Sequence, residues 1–294
     1  MEPQQPWTME SSWSAELIGP LEEQPWLDQV ADYVMELAKP LLELPQAERV
    51  MDFLHGRWLG HALHPVLTDI PIGMWSSSLL LDLVGAHKSA GVLSAAGSAG
   101  AVGAVASGFA DWSDSYGRDR RLGILHGLLN TGGLGLHMLS LSSRLRRRKK
   151  SAMALSALGL SVSTVAAYLG GELVFGRGWM VNHDAWITGP KNWTAVAVEG
   201  ELTEGSTRRA EVEGRSIVLY KESGRVYAIE GTCSHAGGPL WEGKVRDGVV
   251  TCPWHGSQFR LADGRACRGP ATFSQPRLQT RIRGGQVEVR GRQG

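Results

Sequence analysis

Read for its apolar and polar positions, the chain falls into two unlike parts. Residues 65–110 hold only three charged side chains, Asp69, Asp82 and Lys88, and residues 122–143 and 151–171 hold none. Each run approaches or exceeds the roughly 20 apolar residues that cross a bilayer as a helix. Four spans are therefore expected, at 65–86, 89–110, 122–143 and 151–173. The second is nearly all Gly, Ala, Ser and Val. In lipid such small residues let helix backbones approach closely, which places this span inside a bundle. Ahead of the spans Leu27, Val30, Val34, Leu37 and Leu41 recur at helical spacing, with Asp28, Asp32 and Glu36 on the other side. That pattern predicts an amphipathic helix over 27–43. Residues 1–26 are polar and acidic, lack the apolar core of a signal peptide, and are expected to form a disordered tail whose Trp7, Trp13 and Trp26 meet a surface or partner. Past residue 190 the period changes. TAVAV (194–198), SIVLY (216–220), RVYAI (225–229) and VEVR (287–290) alternate as strands do, with glycine-rich turns between them. The expected fold class is α+β and multidomain. A polar tail and amphipathic helix (1–54) lead into a four-helix transmembrane bundle (55–175), a linker (176–190) and a small antiparallel all-β domain (191–294).

Charge adds direction to this arrangement. The formal net charge of +1 leaves no basic surplus and argues against nucleic acid as a partner. The segment SRLRRRKK (143–150), between the third and fourth spans, carries six Lys/Arg. By the positive-inside rule it is cytoplasmic, which puts both chain ends and the β-domain on the outer face of the cell membrane. Arg146, Arg147 and Arg148 just before the weakly hydrophobic last span resemble an internal twin-arginine arrangement; a stop-transfer loop explains the same residues. Trp58, Trp112, Trp179 and Trp186 fall near the outer boundary, where an aromatic belt belongs.

The strongest chemical signal lies in the β-domain. Cys233-Ser-His235 and Cys252-Pro-Trp-His255 stand 16 residues apart, each among glycines. Zinc takes Cys and His, and so does a [2Fe–2S] cluster in which His replaces Cys on one iron. The surrounding CSHAGGPL and CPWHGSQF resemble the Rieske iron–sulfur family, over about residues 190–294. That resemblance implies Cys233 and Cys252 on the inner iron, and His235 and His255 on the outer iron at an exposed tip. Such clusters span about −150 to +300 mV. High-potential, quinol-oxidising members carry a second cysteine pair where this chain has Gly238 and Trp254. They also carry a Ser and a Tyr that donate hydrogen bonds near the cluster; here Ser257 keeps one and Phe259 replaces the other. The resemblance implies an intermediate to low potential. Three cysteines make no disulfide framework, and Cys267 is expected to be an inert loop residue.

HPVLTDIPIGMWSSSLLLDL, GFADW and ILHGLLNT resemble an uncharacterised bacterial four-helix membrane domain, over about residues 55–185. His126, Asn130, Gly133 and His137 share one face of the third span, and Ser161, Thr164, Tyr168 and Glu172 make a stripe on the fourth. His61, His64, Asp69, Asp111, His126, Glu172 and His183 are expected to cluster near the outer end. A membrane site built from His64, Asp69, His126, His137 and Glu172 has three readings: haem b or another metal, a quinone or proton site, or side chains that satisfy one another. His55 and His87 are expected to be interfacial and inert. The leading expectation is a membrane-anchored electron carrier, with the lipid bilayer and an unidentified electron donor and acceptor as partners. A haem- or quinone-dependent membrane oxidoreductase and a non-enzymatic redox sensor are the rivals. Only 35 residues follow Phe259, too few for the mononuclear-iron domain of a Rieske oxygenase.

Overall fold

The computed structural model describes residues 13–291. Seven helices come first: α1 (Trp13–Glu22), α2 (Trp26–Leu42), α3 (Ala47–Leu54), α4 (Leu63–Leu83), α5 (His87–Ser113), α6 (Gly117–Leu145) and α7 (Lys149–Gly171), the last prolonged by a π-turn at Glu172–Gly176. The helix expected at 27–43 is α2, and the four expected spans are α4 to α7. Two of the four, α5 and α7 with its extension, are long and apolar enough to cross a membrane by length and composition. The other two hold the polar residues that interrupt such a run: Asp69, Asp82 and two prolines in α4, and Arg118, Asp119, Arg120, Arg121 and Arg144 in α6.

The expected tail is corrected over its described part. Residues 13–22 form α1, whose Ile18 is buried with Leu122, Leu169 and Leu173. Its buried Glu22 pairs with Arg177, which also reaches Asp119 Oδ1 at 3.0 Å. An apolar residue and a carboxylate with a waiting cation anchor a segment that composition alone reads as disordered. Trp7 lies outside the described residues. Helix α2 buries Leu27 and Ala31 against Trp112 and Ile124, while Arg121 and Arg120 hold Asp28 and Asp32 at 2.6 and 2.8 Å.

Helices α4–α5 and α6–α7 are two copies of one hairpin, which the sequence reading missed. In the first, His64 Nδ1 donates to Ala104 O and Ser78 Oγ to Ala90 O, at separations of 40 and 12 residues. In the second, His126 donates to Ala166 O and Ser140 to Ala152 O at the same separations. Gly108 and Gly170 lie against the His64 and His126 rings, and an added Cβ would come within 2.7 and 2.8 Å of them. Residues 62 apart meet across the axis between α4 and α6, as Asp82 and Arg144 do.

The β-domain has two antiparallel sheets. One runs β1 (Thr194–Val198), β10 (Gln286–Arg290), β9 (Arg277–Arg283), β4 (Arg225–Glu230), β3 (Arg215–Glu222), β2 (Thr207–Val212). The other runs β5 (Lys244–Arg246), β6 (Val249–Thr251), β7 (Gln258–Arg260), β8 (Ala266–Arg268). Alternation along β3 and β4 divides their side chains between two cores. Ile217, Leu219 and Ala228 face Val287 and Val289, whereas Val218, Tyr220 and Ile229 face Val250 and Phe259 beneath the cysteine loops.

Candidate metal centre

Two tight loops present the four expected ligands. In the first, Gly237 N donates to Cys233 O and Cys233 N to Gly238 O, both at 2.8 Å. In the second, Gly256 N donates to Cys252 O at 3.1 Å and Cys252 N to Ser257 O at 2.8 Å. Gly237 and Gly256 both have positive φ, which a side-chain-bearing residue adopts only with strain. Both thiols are buried, and the His235 and His255 rings stand 4.9 Å apart, perpendicular to each other.

These residues fit a cluster on three observations. Both ring nitrogens of His235 and Nε2 of His255 are buried and find no hydrogen-bond partner, a state that costs free energy unless something else binds them. Burial and the neighbouring His255 push His235 down to about 3, and burial lowers His255. Both shifts favour the neutral ring, the form that ligates metal. The Cys233 thiol donates to Cys252, which pulls Cys252 down to about 6 and drives Cys233 well up. Among the described residues, no three His, Cys, Asp or Glu converge closely enough to hold a single ion.

The expected surroundings sort clearly. Ser257 is fully buried and its Oγ accepts from Ala271 N at 3.0 Å, leaving the hydroxyl hydrogen free to donate. Phe259 is fully buried in the core below. A Cβ on Gly238 would sit 2.8 Å from Cys252 Sγ and 3.1 Å from the Trp254 ring. Cys267 is part-exposed in β8, and its Sγ donates to Arg265 O at 3.4 Å.

The exposed tip is corrected. His235 is 4% exposed, because the helical half covers it. Tyr116, just ahead of α6, stacks on His255 at 5.3 Å. Trp179 meets His235 and His255 edge-on at 5.6 and 6.4 Å. His183 N donates to Ser234 O at 3.1 Å, Asp52 accepts from Gly269 N at 2.7 Å, and Glu48 pairs with Arg268 at 2.9 Å. His55 is buried, not inert: Nδ1 lies 3.1 Å from Asp111 and Nε2 3.3 Å from Asp114. Burial raises Asp114 to about 6. A cavity of about 160 Å³ opens beside His55, Asp114 and His255. Sequence reasoning missed Asp52, Tyr116 and the role of His55, since nothing in local spacing joins them to residues 233–255. Asp111, a carboxylate ending a Gly/Ala-rich helix, was the available signal.

The expected membrane site does not gather in one place. His64 and His126 meet at 6.2 Å between ring centroids, but Asp69 is exposed and His137 lies three turns further down α6. The Glu172 carboxylate lies beside Gly176. His61 and His183 are exposed, as are Ser161, Thr164 and Tyr168; Ser156 and Ser163 are the buried serines of α7. His87, expected to be inert, holds Asp82 at 2.9 Å.

Comparison with known proteins follows the same division. Residues 192–280 match the Rieske [2Fe-2S] domain, and residues 60–183 match DUF2231, a predicted membrane protein. Ferredoxin CarAc of Metapseudomonas resinovorans is 29% identical over 100 residues, which is 34% of this chain and 94% of that protein. The ferredoxin component of the naphthalene 1,2-dioxygenase system of Pseudomonas aeruginosa is 27% identical over 99 residues, covering 34% and 95%. Human apoptosis-inducing factor 3 is 33% identical over 96 residues, but the match spans only 16% of that protein. Among solved structures, the ferredoxin of carbazole 1,9a-dioxygenase from Nocardioides aromaticivorans IC177 aligns over its whole length and 35% of this chain, at 23% identity and a TM-score of 0.33. The chain thus joins a DUF2231 domain, of a predicted membrane-protein family, to a Rieske [2Fe-2S] domain.

Proposed function

We propose that the protein is a membrane-anchored electron carrier whose cluster is held by Cys233, Cys252, His235 and His255. The observation that carries this reading is the convergence of two buried thiols with imidazole nitrogens that have no protein partner. When bound, a [2Fe–2S] group of this kind takes up and releases one electron at a time. The chain's own residues set the conditions. The two glycine loops fix the thiols, burial favours the neutral form of both imidazoles, and Tyr116 and Trp179 exclude water from the histidine edge. Four membrane spans, α4 to α7, are the anchor, although α4 and α6 are the more polar pair. The outer-face placement of the β-domain is supported by geometry as well as charge. Tyr116 and Asp114, next to the cluster loops, lie at the α5–α6 junction; the basic segment 143–150 lies at the α6–α7 junction, the other end of the bundle. Donor and acceptor are redox proteins or small carriers that reach the cluster past Trp179, Tyr116 or the exposed Trp254.

Redox-titrated EPR on protein purified from membranes tests this. A rhombic signal with average g below the free-electron value is expected. It should vanish in Cys252→Ser and His235→Ala and persist in Cys267→Ser. Bound zinc without iron, or a signal that survives Cys252→Ser, would overturn the assignment.

A further inference from the structure

A column of polar side chains runs through the middle of the helical domain, from end to end. On α6 it consists of His126, Asn130, His137, Ser140 and Arg144. At about 1.5 Å of rise per residue, His126 and Arg144 are about 27 Å apart, close to the ~30 Å of a bilayer's hydrocarbon core. The repeat supplies the partner for each level from α4. His64 faces His126, Trp75 lies flat on His137 with centroids 3.9 Å apart, and Asp82 takes Arg144 Nη1 at 2.9 Å. Charged and imidazole groups at this depth are costly, and they collect where they have a task.

The ends of the column are bonded and its middle is not. At one end Asp82 also holds His87, and Arg144 Nη2 reaches Ser156, which is bonded to Ser140 at 2.8 Å. At the other, Asn130 Nδ2 donates to His126 Nε2 at 3.1 Å, and His64 lies 3.4 Å from Ser107 Oγ, one helical turn before Asp111 and its partner His55. Between them both nitrogens of His137, Trp75 Nε1, Ser94 Oγ on α5 and Ser163 Oγ on α7 are buried with no hydrogen-bond partner. His137 is 1% exposed. Each unpaired buried polar atom costs free energy, and apolar residues of the same size would remove that cost. Enclosed water is the occupant that polar atoms in a small buried space recruit.

We propose that this column is a proton path through the helical domain; the proposal rests on the reading that α4–α7 span the membrane. A proton enters from solvent past His87 and Asp82 and binds one nitrogen of His137. The other nitrogen of the same ring releases a proton towards Asn130 and His126, so the ring returns to neutral and one proton has moved. The Nδ1 hydrogens of His64 and His126 are committed to Ala104 O and Ala166 O, so Nε2 is the accepting nitrogen of each ring, and on His126 the arriving proton displaces the hydrogen bond from Asn130 Nδ2. The exit runs by Ser107 to Asp111 and His55.

Vesicles of phosphatidylcholine loaded with a pH-sensitive dye and carrying the full chain test the path. A potassium diffusion potential set with valinomycin supplies the driving force. Acidification at least ten-fold faster than in protein-free vesicles is expected. His137→Phe and His126→Phe should each slow it at least ten-fold, whereas His137→Gln should retain an intermediate rate, and Thr131→Ala, exposed and off the column, should match the parent. A helical circular-dichroism spectrum and thermal-unfolding midpoint close to those of the parent report that each variant is folded. Protein that floats with carbonate-washed vesicles yet passes no protons, or a folded His137→Phe that conducts like the parent, overturns the path alone. Protein that fails to float with the vesicles overturns the membrane reading and the path with it.

Discussion

Around the cluster loops, single residues decide what the site can do. Gly238 has no room for a side chain, because Cys252 Sγ and the Trp254 ring occupy the space. The Trp254 indole of the second loop therefore packs directly on the backbone of the first. Ser257 keeps a hydroxyl hydrogen available beside the cluster, and Phe259 offers none. A hydrogen bond to a charged acceptor contributes about 1.5–3 kcal/mol, and about 59 mV corresponds to each tenfold in a one-electron couple. Ser257→Ala should therefore lower the midpoint by on the order of 60–130 mV, and Phe259→Tyr should raise it; a spectroelectrochemical titration reads both. A second residue carries a pH effect. Asp184 is buried in the linker and neither carboxylate oxygen has a partner. Burial, with Glu230 nearby, raises its pKa to about 7, whereas in the unfolded chain it titrates near 3.9. The folded state therefore binds the proton more tightly. Its stability is full below about pH 4, erodes as the pH rises to 7, and is lowest above that. Asp184→Asn should stabilise by a few kcal/mol at pH 8 and hardly at all at pH 4.5, as measured by thermal unfolding; equal gains at both would refute the account.

At the scale of elements, what was legible followed from periodicity. The charge-free runs predicted α4 to α7 to within a few residues, and the alternating runs predicted β1, β3, β4 and β10. Helices α1 and α3 were not legible, since their stability comes from partners far along the chain, Arg177 for Glu22 and the β-domain for Glu48 and Asp52. The hairpin repeat escaped notice for a different reason. Identity survives only at scattered positions, such as His64 and His126 or Ser78 and Ser140, and is lost between them: Trp75 corresponds to His137, and Asp82 to Arg144. The latter pair is nearly buried, with the Asp82 side chain 1% exposed and that of Arg144 12%. Breaking a buried pair leaves an uncompensated charge, at a cost of about 3–5 kcal/mol. Asp82→Ala should lower the unfolding midpoint in detergent markedly. The double change Asp82→Leu with Arg144→Leu should recover most of the loss, which a pure helix-propensity effect would not allow.

In the whole molecule, the half-motifs revealed the metal centre but not what lies over it. Ligand spacing is local, and so it is written in the sequence; the cover over the cluster loops is made of residues about 50 to 220 positions away. That cover changes how the cluster meets a partner. Most of its polar contacts are of modest strength. Glu48 and Arg268 are 66% and 42% exposed at the side chain, and such pairs contribute about 0–1 kcal/mol. The hydrogen bond from Gly269 N to the Asp52 carboxylate is better shielded and contributes about 1.5–3 kcal/mol. Aromatic contact of Tyr116 and Trp179 with the imidazoles completes the interface. Charge reversal at both acidic positions, Glu48→Arg with Asp52→Lys, should loosen the β-domain from the bundle without touching a ligand. Amide exchange in residues 233–238 and 252–257 should then quicken several-fold, and the EPR g-values should stay close to those of the parent. Unchanged exchange would mean that the aromatic contacts alone hold the two domains together, and Tyr116→Ala with Trp179→Ala should then produce the same release.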